Sequence, residues 1–173
     1  LDISPTKTYI YRMKEETIKI LDGIIKKEDQ TKIFREIEKL VYVRGERDRD
    51  EAFTATGEVS ELPHDNTIFK ILKNYVSKHT SLNFKDLKRS YVNKFFPNEN
   101  PFFHTDGSKG ITLLYYPNLD WNIDEGGDTQ FIIKKEVRGI FPIPGRIVIF
   151  PAYLTHRGNA FRNKVRYTVA LKF

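Results

Sequence analysis

The sequence predicts a single-domain α+β protein with helices first and an antiparallel β core, a sandwich or barrel, after them. Three observations carry this. Apolar residues recur at helical spacing in the first half of the chain. From about Ser90 the pattern changes to short runs rich in β-branched and aromatic residues. Turn pairs such as Pro-Asn, Gly-Gly, Pro-Gly and Gly-Asn separate those runs, as in sandwiches and barrels. Helices followed by strands are the order of an α+β chain rather than of alternating βαβ units. With 173 residues, 39% of them apolar and 13% aromatic, the chain can bury one sizeable core.

Taken in order, residues 14–27, "KEETIKILDGIIKK", and 27–43, "KEDQTKIFREIEKLVYV", read as helices, the second with Ile33, Ile37 and Leu40 on one face. Residues 65–80, "DNTIFKILKNYVSKHT", read the same way through Ile68, Ile71, Leu72 and Tyr75, with Asp65 or Asn66 placed to cap the start. Between them residues 44–65, "RGERDRDEAFTATGEVSELPHD", are polar and without period. A loop this long in a compact domain is usually functional, and residues 44–63 are expected to form a lid. The later segments "SYVNKFF", "ITLLYY", "TQFII", "VRGIF", "RIVIF" and "VRYTVALKF" read as strands. Residues 1–89 are thus expected to be mainly helical support plus the lid, and 90–173 the β core.

Composition excludes several function classes. There is no cysteine, so disulfides and thiolate ligands are absent and a metal site must use His, Asp or Glu. That usage suits a reducing cytoplasm, the expected location. No apolar run is long enough to span a bilayer, and "LDISPTKTYIYRMK" lacks the charged-then-apolar order of a secretory signal, so no membrane partner is expected. The net charge is +6, yet basic residues alternate with acids, as in "RGERDRDE", and no basic-aromatic stripe appears; nucleic acid is not an expected partner.

The chemistry lies in "FFHTDG". If this stretch ends a strand, His104 and Asp106, two residues apart, project from one face and can reach one ion. After an interval long enough for about four strands, the apolar run "RIVIFPAYLTHRGN" brings His156. Two histidines and one carboxylate with three open positions form the facial site used by non-haem Fe(II) oxygenases. Ten residues on, Arg166 and Thr168 share a face in "VRYTVALKF", where a guanidinium and a hydroxyl can hold a carboxylate.

On these residues the sequence resembles the Fe(II)/2-oxoglutarate dioxygenases, in particular their prolyl 4-hydroxylase-like branch, over about 90–173. "HTDGSKGITLLYYPNLDWNIDEGGDTQFI" is similar to that branch's stretch from the metal pair to a Gly-Gly strand, "GRIVIFPAYLTHRG" to the approach to the distal histidine, and "RYTVALKF" to the closing strand. The resemblance implies a double-stranded β-helix (jelly-roll) core with N-terminal helices packed on one face. It implies His104, Asp106 and His156 as Fe(II) ligands and Arg166, assisted by Thr168, on the distal carboxylate of 2-oxoglutarate. Tyr116 falls where the branch places a tyrosine on that carboxylate, and a core role is its other reading. Gly126 and Gly127 are given a backbone role at a tight strand entry. The implied reaction is hydroxylation of peptidyl proline with O2, giving succinate and CO2, with ascorbate as a supporting reductant. The same residues also admit this chemistry on a small molecule or nucleobase, or a jelly-roll binding module without turnover. Collagen-type members often carry Lys where this chain has Arg166, and many relatives carry a Tyr where Phe95 stands nearest.

Overall fold

The computed structural model describes residues 7–13, 16–45, 47 and 55–173. Among the described residues ten strands form two antiparallel sheets. The chain order is β1 (Lys7–Met13), β2 (Glu16–Asp22), α1 (Lys27–Ile37), β3 (Glu58–Glu61), α2 (Thr67–His79), β4 (Arg89–Phe95), β5 (Ile111–Tyr115), β6 (Thr129–Ile133), β7 (Glu136–Ile140), β8 (Ile147–Pro151), β9 (His156–Gly158) and β10 (Arg166–Lys172). The large sheet runs β1-β2-β8-β5-β10-β4-β3 and the small sheet β7-β6-β9.

The alternation of side chains along each central strand of the large sheet divides the interior in two. Ile147 and Ile149 of β8, Leu113 and Tyr115 of β5, Val169 and Leu171 of β10, and Val92 of β4 face one way. They pack on Ile33 and Ile37 of α1 and on Ile68, Phe69, Leu72 and Val76 of α2, so both helices cover one face of the sheet. Val148 and Phe150, Leu114, Ala170 and Tyr91 face the other way and meet Phe131, Ile133 and Ile140 of the small sheet. The result is a mostly β, jelly-roll-like molecule with two helices among the described residues. None of these helices is long and apolar enough to cross a membrane.

Local chemistry explains the elements. In α2, Asn66 Oδ1 accepts from the Ile68 N–H at 2.8 Å and satisfies one of the free first-turn donors. In α1 no side chain caps the start, but Glu28 and Asp29 sit in the first turn, where the helix dipole favours them.

Three expectations need correction. The segment 14–27 is not a helix: it contains β2, with Ile18 and Ile20 turned to the inter-sheet core and Leu21 to the helices. Ile18 and Ile20 alternate around a half-buried Lys19, and the apolar residues that follow, Leu21, Ile24 and Ile25, make the run satisfy helical spacing by accident. The polar stretch 44–65 holds β3, an edge strand with one buried residue, Ser60. Residues 1–89 therefore contribute three strands as well as the helices. Of the expected lid over 44–63, residues 46 and 48–54 lie outside the described residues; at its base Val43 bridges Val59, with both N–H···O distances 2.9 Å.

Candidate active site

The segment around His104 is not a strand end. It is stitched to the far side of the barrel by a single antiparallel bridge in which His104 and His156 exchange N–H···O bonds, both 2.9 Å. The Asp106 N–H donates to the Ala152 carbonyl at 2.8 Å. His156 begins β9, a three-residue strand not expected from the sequence, which pairs with Phe131 on β6. Thus β9 and the bridge, rather than one strand's alternation, bring the three side chains together.

His104, Asp106 and His156 each present a ligand atom within 4.8 Å of the others, and among the described residues no other His, Asp or Glu trio does so. His104 Nε2 lies 3.8 Å from Asp106 Oδ1, and His156 Nε2 lies 3.4 Å from Asp106 Oδ2. The Nδ1 atoms face the carbonyls of Phe102 at 3.0 Å and Leu154 at 2.8 Å. A carbonyl only accepts, so each Nδ1 carries the proton and each Nε2 keeps its lone pair for the centre. Burial against Phe131 and Phe150 pushes the His156 pKa down to about 4, His104 and Lys172 act in the same direction, and Asp106 opposes. Burial alone would raise the Asp106 pKa, but His156, Lys172 and the Thr112 hydroxyl outweigh it and hold the carboxyl below its usual range. A neutral His156 imidazole beside an ionised Asp106 carboxylate is the protonation state a divalent metal requires of them.

The same cleft ends on Arg166. In the β4–β10 register Arg166 faces Phe95 and Thr168 faces Asn93. Arg166 is 2% exposed. Its Nη2 donates to Thr129 Oγ1 at 3.0 Å, and Thr129 shares a 2.7 Å hydrogen bond with the Tyr116 hydroxyl. No carboxylate among the described residues is at ion-pair distance, and Arg166 Nε has no hydrogen-bond partner. Burial lowers its pKa, opposed by Tyr116 and Asp128. Gly127, at φ +73°, makes room for this side chain: a Cβ there would meet Trp121 at 3.0 Å and Arg166 Cδ at 3.3 Å.

A buried guanidinium without an acid is costly, and such a group is stable when a ligand supplies the anion. The donor set and the orphaned Arg166 therefore fit a divalent metal and a carboxylate ligand side by side. The candidate residues His104, Asp106, His156, Arg166 and Thr168 all line this cleft; Tyr116 sits one layer behind, against Thr129 and the guanidinium, 5.5 Å from ring centroid to Cζ. Sequence reasoning missed Thr129, Thr112, Asn93 and Lys172. A usable signal existed for Lys172: it has the parity of Arg166 and Thr168 on one strand, an inward row.

No protein-family model matches the sequence, and no curated protein sequence matches it. Solved structures do match in fold. A prolyl hydroxylase from Trichoplax adhaerens, in complex with a hypoxia inducible factor oxygen degradation domain peptide fragment, is similar at TM-score 0.70 and 17% identity, over 90% of this chain and 82% of that one. A Pseudomonas putida prolyl-4-hydroxylase is similar at TM-score 0.69 and 12% identity, over 90% and 91%. A viral collagen prolyl hydroxylase from Paramecium Bursaria Chlorella virus-1, in its 2OG complex, is similar at TM-score 0.65 and 14% identity, over 90% and 93%. At these identities the likeness is one of fold.

Proposed function

We propose that this protein is an Fe(II)- and 2-oxoglutarate-dependent hydroxylase of peptidyl proline, built on a double-stranded β-helix core. The observation that carries the proposal is one cleft holding both the His104, Asp106 and His156 trio and a buried arginine with no acid at ion-pair distance among the described residues. In this reading His104, Asp106 and His156 hold Fe(II), and Arg166, Thr168, Thr129 and Tyr116 receive the distal carboxylate of 2-oxoglutarate. When bound, the iron with 2-oxoglutarate and O2 supplies the oxidising power to hydroxylate an unactivated C–H bond, with succinate and CO2 as co-products.

The chain's own work is positional. The carbonyls of Phe102 and Leu154 fix both imidazole tautomers. Arg166 orients the co-substrate from the far end of the cleft, its fork matching a carboxylate. Phe131 and Phe150 pack against His156 and keep water from that side. A peptide as substrate is supported by the Trichoplax relative, which holds one.

The test is incubation of the protein with Fe(II), 2-oxoglutarate, O2, ascorbate and proline-containing peptides. Succinate should form in step with a mass gain of one oxygen on proline. Replacing His104, Asp106 or His156 by Ala should remove turnover and weaken metal binding beyond the roughly 10–100-fold that outer-shell losses cost, with the fold kept. Tight coupling to a free amino acid, nucleobase or other metabolite, with no proline oxidised, would overturn the peptidyl-proline assignment. Absence of any iron-dependent succinate formation would leave a binding module.

A further inference from the structure

The carboxylate of Asp106 is not symmetric. Its Oδ2 accepts a 2.5 Å hydrogen bond from the Thr112 hydroxyl and is ion-paired with Lys172 Nζ. Lys172 Nζ also donates to Thr112 Oγ1 at 3.5 Å, which closes a triangle of three side chains. The triangle is fixed by register: Lys172 of β10 lies directly opposite Thr112 on β5 and opposite Arg89 on β4. Thr112 is fully buried, and the Asp106 backbone is tied to Ala152. Oδ1, by contrast, meets only His104 Nε2 among the described residues, at 3.8 Å.

We propose that Lys172 and Thr112 form a clamp on Asp106 Oδ2 that confines the carboxylate to one-oxygen coordination through Oδ1. This rests on the metal reading given above. A carboxylate oxygen offers two lone-pair directions, and two donors occupy both on Oδ2. Although Oδ2 is the oxygen nearer His156, it is then unavailable to the metal. The count of open positions follows. Three single-atom protein ligands leave three of six octahedral positions vacant, enough for a two-atom 2-oxo acid and a further small ligand. A two-oxygen Asp106 would leave only two. Lys172 is thus a positioning residue, acting on the metal through Asp106. It sits on the same inward row of β10 as Arg166, so one strand sets both the co-substrate's anchor and the vacancy it needs.

The clamp predicts effects of opposite sign on two affinities. With Co(II) as the metal probe under anaerobic conditions, the Thr112→Val/Lys172→Met double variant should bind the metal at least as tightly as the parent, because the freed Oδ2 becomes a ligand. Titration of 2-oxoglutarate into the Co(II)-loaded variant should show binding weaker by about tenfold, the scale of outer-shell effects. The Co(II) d–d spectrum before co-substrate should report one added protein ligand. Lys172→Arg should restore the parent's values. Metal and co-substrate affinity falling together would reveal a merely structural triangle and overturn the clamp; so would two unchanged affinities. If parent Co(II) binding is insensitive to His104→Ala, the metal reading fails first and the clamp with it, a result distinct from either variant outcome.

Discussion

The two faces of the large sheet are built from the same strands and have different chemistry. Toward the helices β4, β5, β8 and β10 present Val92, Leu113, Tyr115, Ile147, Ile149, Val169 and Leu171. Toward the small sheet they present Asn93, Thr112, Arg166, Thr168 and Lys172 among apolar neighbours. Adjacent tyrosines mark the contrast. The Tyr115 hydroxyl is buried in the helix layer without a hydrogen-bond partner, and burial pushes its pKa far up. The Tyr116 hydroxyl, one residue on, finds Thr129 and the Arg166 guanidinium. The period of two lets one strand carry stability on one row and chemistry on the other. If the residues on the chemical row serve a ligand, as the proposed function has it, the two rows should respond differently to substitution.

The largest separation is expected at Arg166. Arg166→Met removes the partner of a buried carboxylate and should weaken 2-oxoglutarate binding by roughly 3–5 kcal/mol, with metal affinity nearly unchanged. The ligand-free protein should at the same time hold its melting temperature or gain, because an uncompensated buried charge has gone. A variant that melts earlier and binds co-substrate normally would make Arg166 part of the structural row.

Leu72→Ala makes the opposite test. Leu72 is fully buried between α2 and the sheet, and its truncation should cost about 2–5 kcal/mol in denaturant unfolding. Metal and co-substrate affinities, measured well below the transition, should not move. Loss of either would mean that the helix layer sets the geometry of the cleft, and the division between rows would fail.

Acid should unfold the metal-free protein from the chemical face. His156 titrates near 4 when folded against an ordinary 6.5. The unfolded chain therefore binds a proton that the folded chain refuses, and stability falls as pH drops from about 6.5 through 4. The depression corresponds to about 3 kcal/mol, present in full above 6.5 and lost below 4. Asp106, held below its ordinary value, adds a further loss at lower pH. In His156→Gln, which cannot titrate, the upper part of this slope should vanish from urea midpoints measured between pH 4 and 7. A slope that survives the substitution would place the acid sensitivity elsewhere.

Legibility in the sequence followed the same division. Strands with one polar row, β4, β5 and β10, were legible, as was α2 with its Asn66 cap. β2 was not, because its Ile18 and Ile20 run on into Leu21, Ile24 and Ile25, a series that also fits helical spacing. β3 and β9 were missed because an edge strand of "EVSE" and a three-residue "HRG" carry almost no apolar signal. The candidate residues His104, Asp106, His156 and Arg166 stood out because such chemistry is rare in a core, although the bridge to β9, and not the strand alternation inferred from spacing, brings the first three together. Thr112 and Thr129 did not stand out, since a strand threonine is commonplace and only the fold reveals that these hydroxyls meet Asp106 and Arg166.

The smallest effect tests whether disturbance crosses the sheet at all. Asn66 caps α2 from the surface side through one 2.8 Å bond to the Ile68 N–H, and touches nothing in the cleft. Asn66→Ala should cost about 1 kcal/mol by leaving that donor without its cap. For a chain of this size that corresponds to a fall of about 2–4 °C in melting temperature. Ile68, Phe69, Leu72 and Val76 would still seat the helix on the sheet. The loss should therefore stay within the first turn, and Co(II) and 2-oxoglutarate affinities should match the parent. Asn66→Asp, which keeps an accepting oxygen and adds charge at the positive end of the helix dipole, should recover the stability. If frayed capping alone alters co-substrate affinity, the helix layer and the cleft act as one unit, and the independence of the two rows is lost at its weakest point.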